Sequence, residues 1–195
     1  MYENLKSKLV QDMVKNGMID KEDTELYCFG IDALKTYVGA IIMTLGIGVL
    51  LHSFWESLVF LIFFKLLRGE AGGYHASSKW MCNLVSVLSI TGTLLIVRFY
   101  GTVFPIWLVG ISLFLSVVVI FIWAPLPDPH KPITEKERIY HKKHARVIVI
   151  MESVVAVLLY NPMRKLSVVI CLAEVIVTIS LMIWLVVRRF HPQES

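Results

Sequence analysis

Read from its first residue, the chain changes pattern near position 35. Before that point charged and apolar positions are interleaved. In MYENLKSKLVQDMVKNGMIDKEDTEL, Leu5, Leu9, Met13 and Val14 recur at spacings of four and one. That is the pattern of a short amphipathic helix lying on a membrane surface. Asn16-Gly17 is expected to end it, and Asp20 to cap a second helix leading into the membrane. Beyond position 35 the polar residues cluster and leave apolar runs at 35–52, 54–67, 81–97, 103–123, 147–160 and 166–187. Most of these approach the roughly 20 residues that a membrane-spanning helix needs. The second and fifth are short and carry charge, Glu56 and Lys65 in one and Glu152 in the other. The predicted fold class is therefore all-α: a polytopic transmembrane helical bundle of about six spans, or four if the two short runs are buried or re-entrant. The expected division is an interfacial helical segment at 1–32, a transmembrane domain at 33–187 and a tail at 188–195.

Composition agrees with the pattern. The chain of 195 residues is 56% hydrophobic and only 17% charged, against about 25% charged in soluble domains. No early apolar stretch resembles a secretory signal, so the N-terminus is expected to be retained. With six spans and the N-terminus inside, all of the 19 lysines and arginines except Arg98, Arg164 and Lys165 fall on the cytoplasmic side, as the positive-inside rule requires. A four-span arrangement would also place both termini there. The net charge of +4 suits an anionic inner leaflet, and no aromatic-interleaved basic patch points to nucleic acid. Three cysteines, at 28, 82 and 171, show neither CxxC pairing nor metal spacing, so no metal, cofactor or disulfide framework is expected.

Against this background the stretch RGEAGGYHASSKWMC at 68–82 stands out, because it sets Arg68, Glu70, His75 and Cys82 between two apolar runs. Gly69, Gly72 and Gly73 each cost about 1 kcal/mol relative to alanine inside a helix, so a turn or re-entrant bend is predicted here. On one straight helix, seven residues would separate His75 and Cys82 by roughly 10.5 Å along the axis. Pairing them requires His75 to fold back over the start of the third span. A Cys–His pair can move the thiol proton to imidazole and attack a carbonyl, and positive charge from His75, Arg68 or Lys79 would favour the thiolate. The competing reading makes Cys82 a small core residue and His75 an interfacial side chain. Glu70, Ser77 and Ser78 are nearest in sequence as an imidazole-orienting third group, with Glu70 equally a solvated or ion-paired carboxylate.

The order Arg68, Gly73, His75, Cys82 resembles the signature of the accessory gene regulator B family of bacterial membrane endopeptidases, which mature quorum-sensing peptides. The proline-rich segment APLPDPHKPI at 124–133, within a basic loop expected at 124–146, is similar to the family's loop in its Lys131-Pro132-Ile133 ending. It departs in having Asp128-Pro129-His130 where other members have further lysines. The resemblance implies that His75 and Cys82 are the catalytic pair of a cysteine endopeptidase without cofactor. Such an enzyme cuts a membrane-associated propeptide at the cytoplasmic face of the cell membrane. It holds the N-terminal portion as a Cys82 thioester and passes it to an internal Cys or Ser of the substrate, giving a thiolactone or lactone ring. It further implies that Arg68 and Gly73 support processing and that Lys131 contacts substrate. Water must be kept from the thioester until the internal nucleophile arrives, and a thiol at the mouth of a span under a glycine-rich bend is half screened. Backbone N–H groups at the bend or at the start of the third span could stabilise the oxyanion.

Other polar positions read less specifically. Glu152 and Glu174 lie inside apolar runs, where an ionised carboxylate costs at least about 2.5 kcal/mol. They read either as a polar path, which would fit a non-enzymatic peptide transporter or export partner, or as helix-to-helix hydrogen bonds. Lys65 is expected to snorkel, Cys28 and Cys171 to be inert, and His141 and His144 to lie on a solvated basic face. Gly39, Gly46 and Gly48 with Thr44 form a small-residue face suited to close helix packing, against the protomer's own core or in a homodimer.

Overall fold

The structure, a computed structural model, describes residues 2–73, 79–126 and 134–190. Among these every regular element is helical: α1 Tyr2–Lys15, a 3-10 turn Lys21–Asp23, α2 Thr24–Leu50, α3 Phe54–Ala71, α4 Lys79–Tyr100, α5 Ile106–Trp123, α6 Glu135–Leu159 and α7 Arg164–Phe190. The chain divides into two compact units, 1–43 and 44–195.

In the first unit α1 ends where Asn16-Gly17 predicts. Gly17 takes φ +67, Gly17 N–H donates to Val14 O at 3.1 Å, and Met18 N–H donates to Met13 O at 3.0 Å. This pair of bonds satisfies the last carbonyls through a left-handed glycine. Among the described side chains of α1 the buried one is Val10, whereas Leu9 is half exposed. Lys6 Nζ pairs with Asp32 Oδ2 at 2.7 Å, tying α1 to α2. Asp20 does not cap α2: its side chain makes no capping bond, and the 3-10 turn intervenes. The acids at the two starts, Glu22 and Asp23 in the turn and Glu25 in α2, complement the positive helix end instead. α2 consequently begins at Thr24, well before the apolar run at 35.

The second unit brings α3 to α7 together in alternating directions. The last turn of α3 meets the exit of α5 through Leu126 N–H to Ala71 O at 3.1 Å. It meets α6 through Glu70 and His141 and α7 through Arg68 and Ser180. At the opposite end Arg98 Nη1 donates to Leu51 O at 2.6 Å, Tyr160 Oη to Phe104 O at 2.8 Å and Arg164 Nη1 to Thr102 O at 2.7 Å. So α3, α5 and α7 run one way, and α4 and α6 run back. Helix α7 packs against α3, α4, α5 and α6. A buried cluster of Leu67, Ala71, Ile120, Leu126, Val149 and Leu181, among others, lies toward the end where α3 stops.

Outward faces are apolar: Trp107 and Phe114 on α5 and Leu158 on α6 are each more than 60% exposed. A soluble protein rarely shows so much contiguous grease, whereas hydrocarbon accepts it. The helices Lys21–Leu50, Ile106–Trp123 and Arg164–Arg189 are long and apolar enough to cross a membrane, and Leu84–Tyr100 forms a shorter apolar stretch. The molecule is a membrane protein. The basic loop expected at 124–146 needs correction, because residues 135–146 are the first turns of α6. The cause is a capping box in which Thr134 Oγ1 accepts from Glu137 N–H at 3.3 Å and Glu137 Oε2 accepts from Thr134 N–H at 2.9 Å. Within the protomer only part of the small-residue face is packed. At Gly48 a Cβ would run into Ser57, and Thr44 is buried, but Gly39 and Gly46 have open space around them.

Candidate active site at the α3 bend

Helix α3 does not continue to Cys82. It stops at Ala71, with Gly72 at φ +71 and ψ −153 and Gly73 at φ +133, conformations that favour glycine. Gly69 does not take part in the break, since it sits in the last turn of α3 with open space where a Cβ would stand. One glycine in a helix costs too little to end it against tertiary packing.

The bend is held on two sides. A Cβ on Gly72 would stand 2.6 Å from Leu126 O, so the exit of α5 passes directly against the backbone. On the other side Arg68 turns back over the bend, and its Nη1 donates to Gly72 O at 2.8 Å and to Ser180 Oγ of α7 at 2.7 Å. The same Nη1 occupies the place that a side chain at 73 would need, and Ser180 Oγ lies 3.1 Å from that position. Arg68 and Gly73, which the sequence pattern links by spacing alone, are thus complementary halves of one contact. Arg68 is therefore a partly buried group turned inward.

Glu70 Oε2 and His141 Nδ1 are 2.8 Å apart, joining the end of α3 to the first turns of α6. Glu70 is thus held in a hydrogen bond with His141 rather than left simply solvated. His141 is only partly solvated, because the helical start of α6 carries it to Glu70, while Lys142 and Lys143 beside it are exposed. His144 packs on the ring of Tyr140 and bonds Tyr140 O at 2.9 Å. Arg146 donates to Phe121 O at 2.8 Å and lies over the Phe121 ring, satisfying a carbonyl at the negative end of α5. Lys136, Arg138, Lys142 and Lys143 are exposed along the start of α6, at the same end of the unit.

Cys82 belongs to the first turns of α4, four residues into the helix; its side chain lies outside what the structure describes. His75, Ser77, Ser78 and Lys131 also lie outside the described residues, as does most of the proline-rich segment. Cys28 is free and partly buried, and Cys171 is free and buried, with Sγ 4.0 Å from Val109 O. Inside the unit, Glu152 and Glu174 are both fully buried. Ser153 Oγ lies 3.2 Å from both Glu174 carboxylate oxygens, a bond between α6 and α7. Neither Glu152 oxygen has a partner among the described residues.

Sequence reasoning missed Ser180 and His141 as site neighbours. Neither carried a local signal, since Ser180 is 112 residues from Arg68 and His141 is 71 from Glu70. The start of α6 did carry one, in the Thr134-x-x-Glu137 capping pattern.

Comparison with known proteins bears on these residues as a set. The family model described as "Accessory gene regulator B" matches residues 6–186. An AgrB-like protein of Lactiplantibacillus plantarum is 26% identical over 144 residues, covering 74% of this chain and 72% of that protein. Protein FsrB of Enterococcus faecalis is 26% identical over 168 residues, 78% of this chain and 69% of the relative. Accessory gene regulator protein B of Staphylococcus aureus is 31% identical over 121 residues, 62% of each chain. No solved structure matches.

Proposed function

Because the chain belongs to the accessory gene regulator B family, we propose that it is a cysteine endopeptidase of the bacterial cell membrane that processes a quorum-sensing propeptide. The observation that carries the reading is the break of α3 at Gly72–Gly73, closed over by Arg68, five residues before Gly73 and fourteen before Cys82. The turn at Gly72–Gly73 rules out one straight helix from 69 to 82, the arrangement in which His75 could not reach Cys82.

In the proposed reaction His75 takes the Cys82 thiol proton, and the thiolate adds to the scissile carbonyl of the propeptide. The C–N bond then breaks, and the imidazolium returns the proton to the leaving amine of the C-terminal tail. The N-terminal portion remains as a Cys82 thioester. An internal Cys or Ser of the substrate attacks that thioester, closing a thiolactone or lactone and regenerating the thiol. The first four N–H groups of any α-helix lack intrahelical acceptors, and Cys82 is the fourth residue of α4. In the proposed reaction those donors would be available to stabilise the oxyanion.

The proposed setting is six spans, α2 to α7, with both termini in the cytoplasm. Support comes from charge: the end of the second unit that carries the bend also carries the basic start of α6 and Arg188 and Arg189, while Arg98 and Arg164 lie at the other end. The exposed lysines of α6 and Lys131 would face an anionic substrate segment there.

The test is co-expression with a candidate propeptide. Wild type should release the C-terminal tail, whereas Cys82→Ser and His75→Ala should lose release by at least about a hundredfold, the scale of a removed acid–base group. Release at the wild-type rate by either variant sinks the assignment.

A further inference from the structure

Among the described residues, one of the polar contacts that tie the bend to the rest of the molecule comes from the far end of the sequence. Ser180 stands on α7, the helix that packs against α3, α4, α5 and α6, just before the buried Leu181. Its hydroxyl accepts one N–H of Arg68 Nη1 at 2.7 Å while Gly72 O takes another at 2.8 Å. It also lies 3.1 Å from where a side chain on Gly73 would begin. The hydroxyl, the guanidinium and the two glycines therefore form one packed layer, in which Arg68 is held against the bend from the α7 side.

This arrangement fixes more than the arginine. A guanidinium anchored at one point could swing about its stem, with several rotatable bonds to choose from. Anchored at both a backbone carbonyl and a hydroxyl of a neighbouring helix, it is confined to one position. That position sets how far the Gly72–Gly73 backbone can move toward α7. His75 follows Gly73 by two residues in the sequence, so the bend is the described part of the chain nearest the imidazole of the proposed reaction.

We infer that Ser180 is a positioning residue for the peptidase reaction, acting through Arg68 on the Gly72–Gly73 bend. The inference rests on the reading given under Proposed function. It assigns to α7 a part in the chemistry of a site otherwise built on α3 and α4. Ser180 neither touches substrate nor moves a proton; its contribution is the hydroxyl acceptor, so threonine should serve and alanine should not.

The test uses the full chain in proteoliposomes with a propeptide whose internal nucleophile is replaced by alanine, so that acylation stops at the thioester. The single-turnover rate of the hydroxylamine-labile adduct is followed for wild type, Ser180→Ala, Ser180→Thr and Cys82→Ala. Ser180→Ala should form the adduct about tenfold more slowly, the scale of one hydrogen bond to a charged group. Substrate affinity should stay unchanged, and Ser180→Thr should restore the rate. In an Arg68→Lys background, Ser180→Ala should add little further loss, because the partner through which it acts is gone. Wild-type acylation by Ser180→Ala, full additivity with Arg68→Lys, or failure of threonine to restore the rate would each overturn the inference. A labile adduct on Cys82→Ala is a separate outcome: it would remove Cys82 as nucleophile and take the underlying reading with it.

Discussion

At Gly73 the constraint comes from a neighbour. Its φ of +133 lies outside what L side chains adopt readily, and the space beside it is filled by the Arg68 guanidinium. Strain at such a position costs about 1–3 kcal/mol, and the flexible arginine can be displaced only by giving up its bonds to Gly72 O and Ser180 Oγ. Gly73→Ala is therefore expected to cut propeptide processing by at least about tenfold, since losing one bond to a charged group already costs that much. Gly69→Ala, four residues away in the open last turn of α3, should leave processing intact and stabilise the protein by up to about 1 kcal/mol. Tail release and thermal midpoints of the two variants in detergent check this, and equal effects would show that the bend needs no glycine at 73. The sequence indicated that a bend lies here, since glycines between apolar runs announce one. It did not show which of the three glycines bends the chain, because that depends on Leu126 and Arg68 arriving from elsewhere.

Among the helices, α6 shows where local pattern falls short. Its second half was legible as an apolar run, but its first half, with Lys136, Arg138, Lys142 and Lys143 exposed, reads as a loop by hydropathy. Only the Thr134–Glu137 capping box marks its true start. That extension matters because it swings His141 onto Glu70. Further along the same helix, Ala145, Val149, Glu152 and Ala156 form the buried stripe, so a carboxyl group occupies a position that the spacing assigns to an apolar side chain. Glu174 has Ser153 across the α6–α7 contact, the helix-to-helix bond its sequence allowed, whereas Glu152 has no partner among the described residues. Leaving a buried polar group unsatisfied costs about 1–3 kcal/mol. Glu152→Leu is accordingly expected to stabilise the bundle by that order, measured as a raised midpoint in detergent, with processing retained. A destabilised variant, or one that folds but no longer processes peptide, would instead give Glu152 a polar task and favour the transporter reading.

At the scale of the second unit, the charge distribution and the helix directions sort residues to the same two ends. Alternation of α3 to α7 puts the bend, the exit of α5, the basic start of α6 and the end of α7 together, and puts Arg98, Thr102, Phe104 and Arg164 together at the other end. The apolar runs were legible as helices because bilayer and protein interior demand the same residues, and three of the helices are long and apolar enough to cross a membrane. The cross-helix partners of the bend were not legible, since charge and hydropathy carry no information about which turn of α7 faces which turn of α3. If the bend end is cytoplasmic, a substrate made in the cytoplasm meets Cys82 without crossing the membrane. In a chain whose own three cysteines are replaced by serine, a cysteine at the exposed Val103 should then react with a membrane-impermeant maleimide in intact cells. A cysteine at the exposed Lys136 should react only after permeabilisation. The reverse pattern would invert the molecule and separate the bend from a cytoplasmic substrate. Labelling of both positions in intact cells would mean that α5 and α6 do not place these two ends on opposite sides, and a six-span arrangement would have to be abandoned.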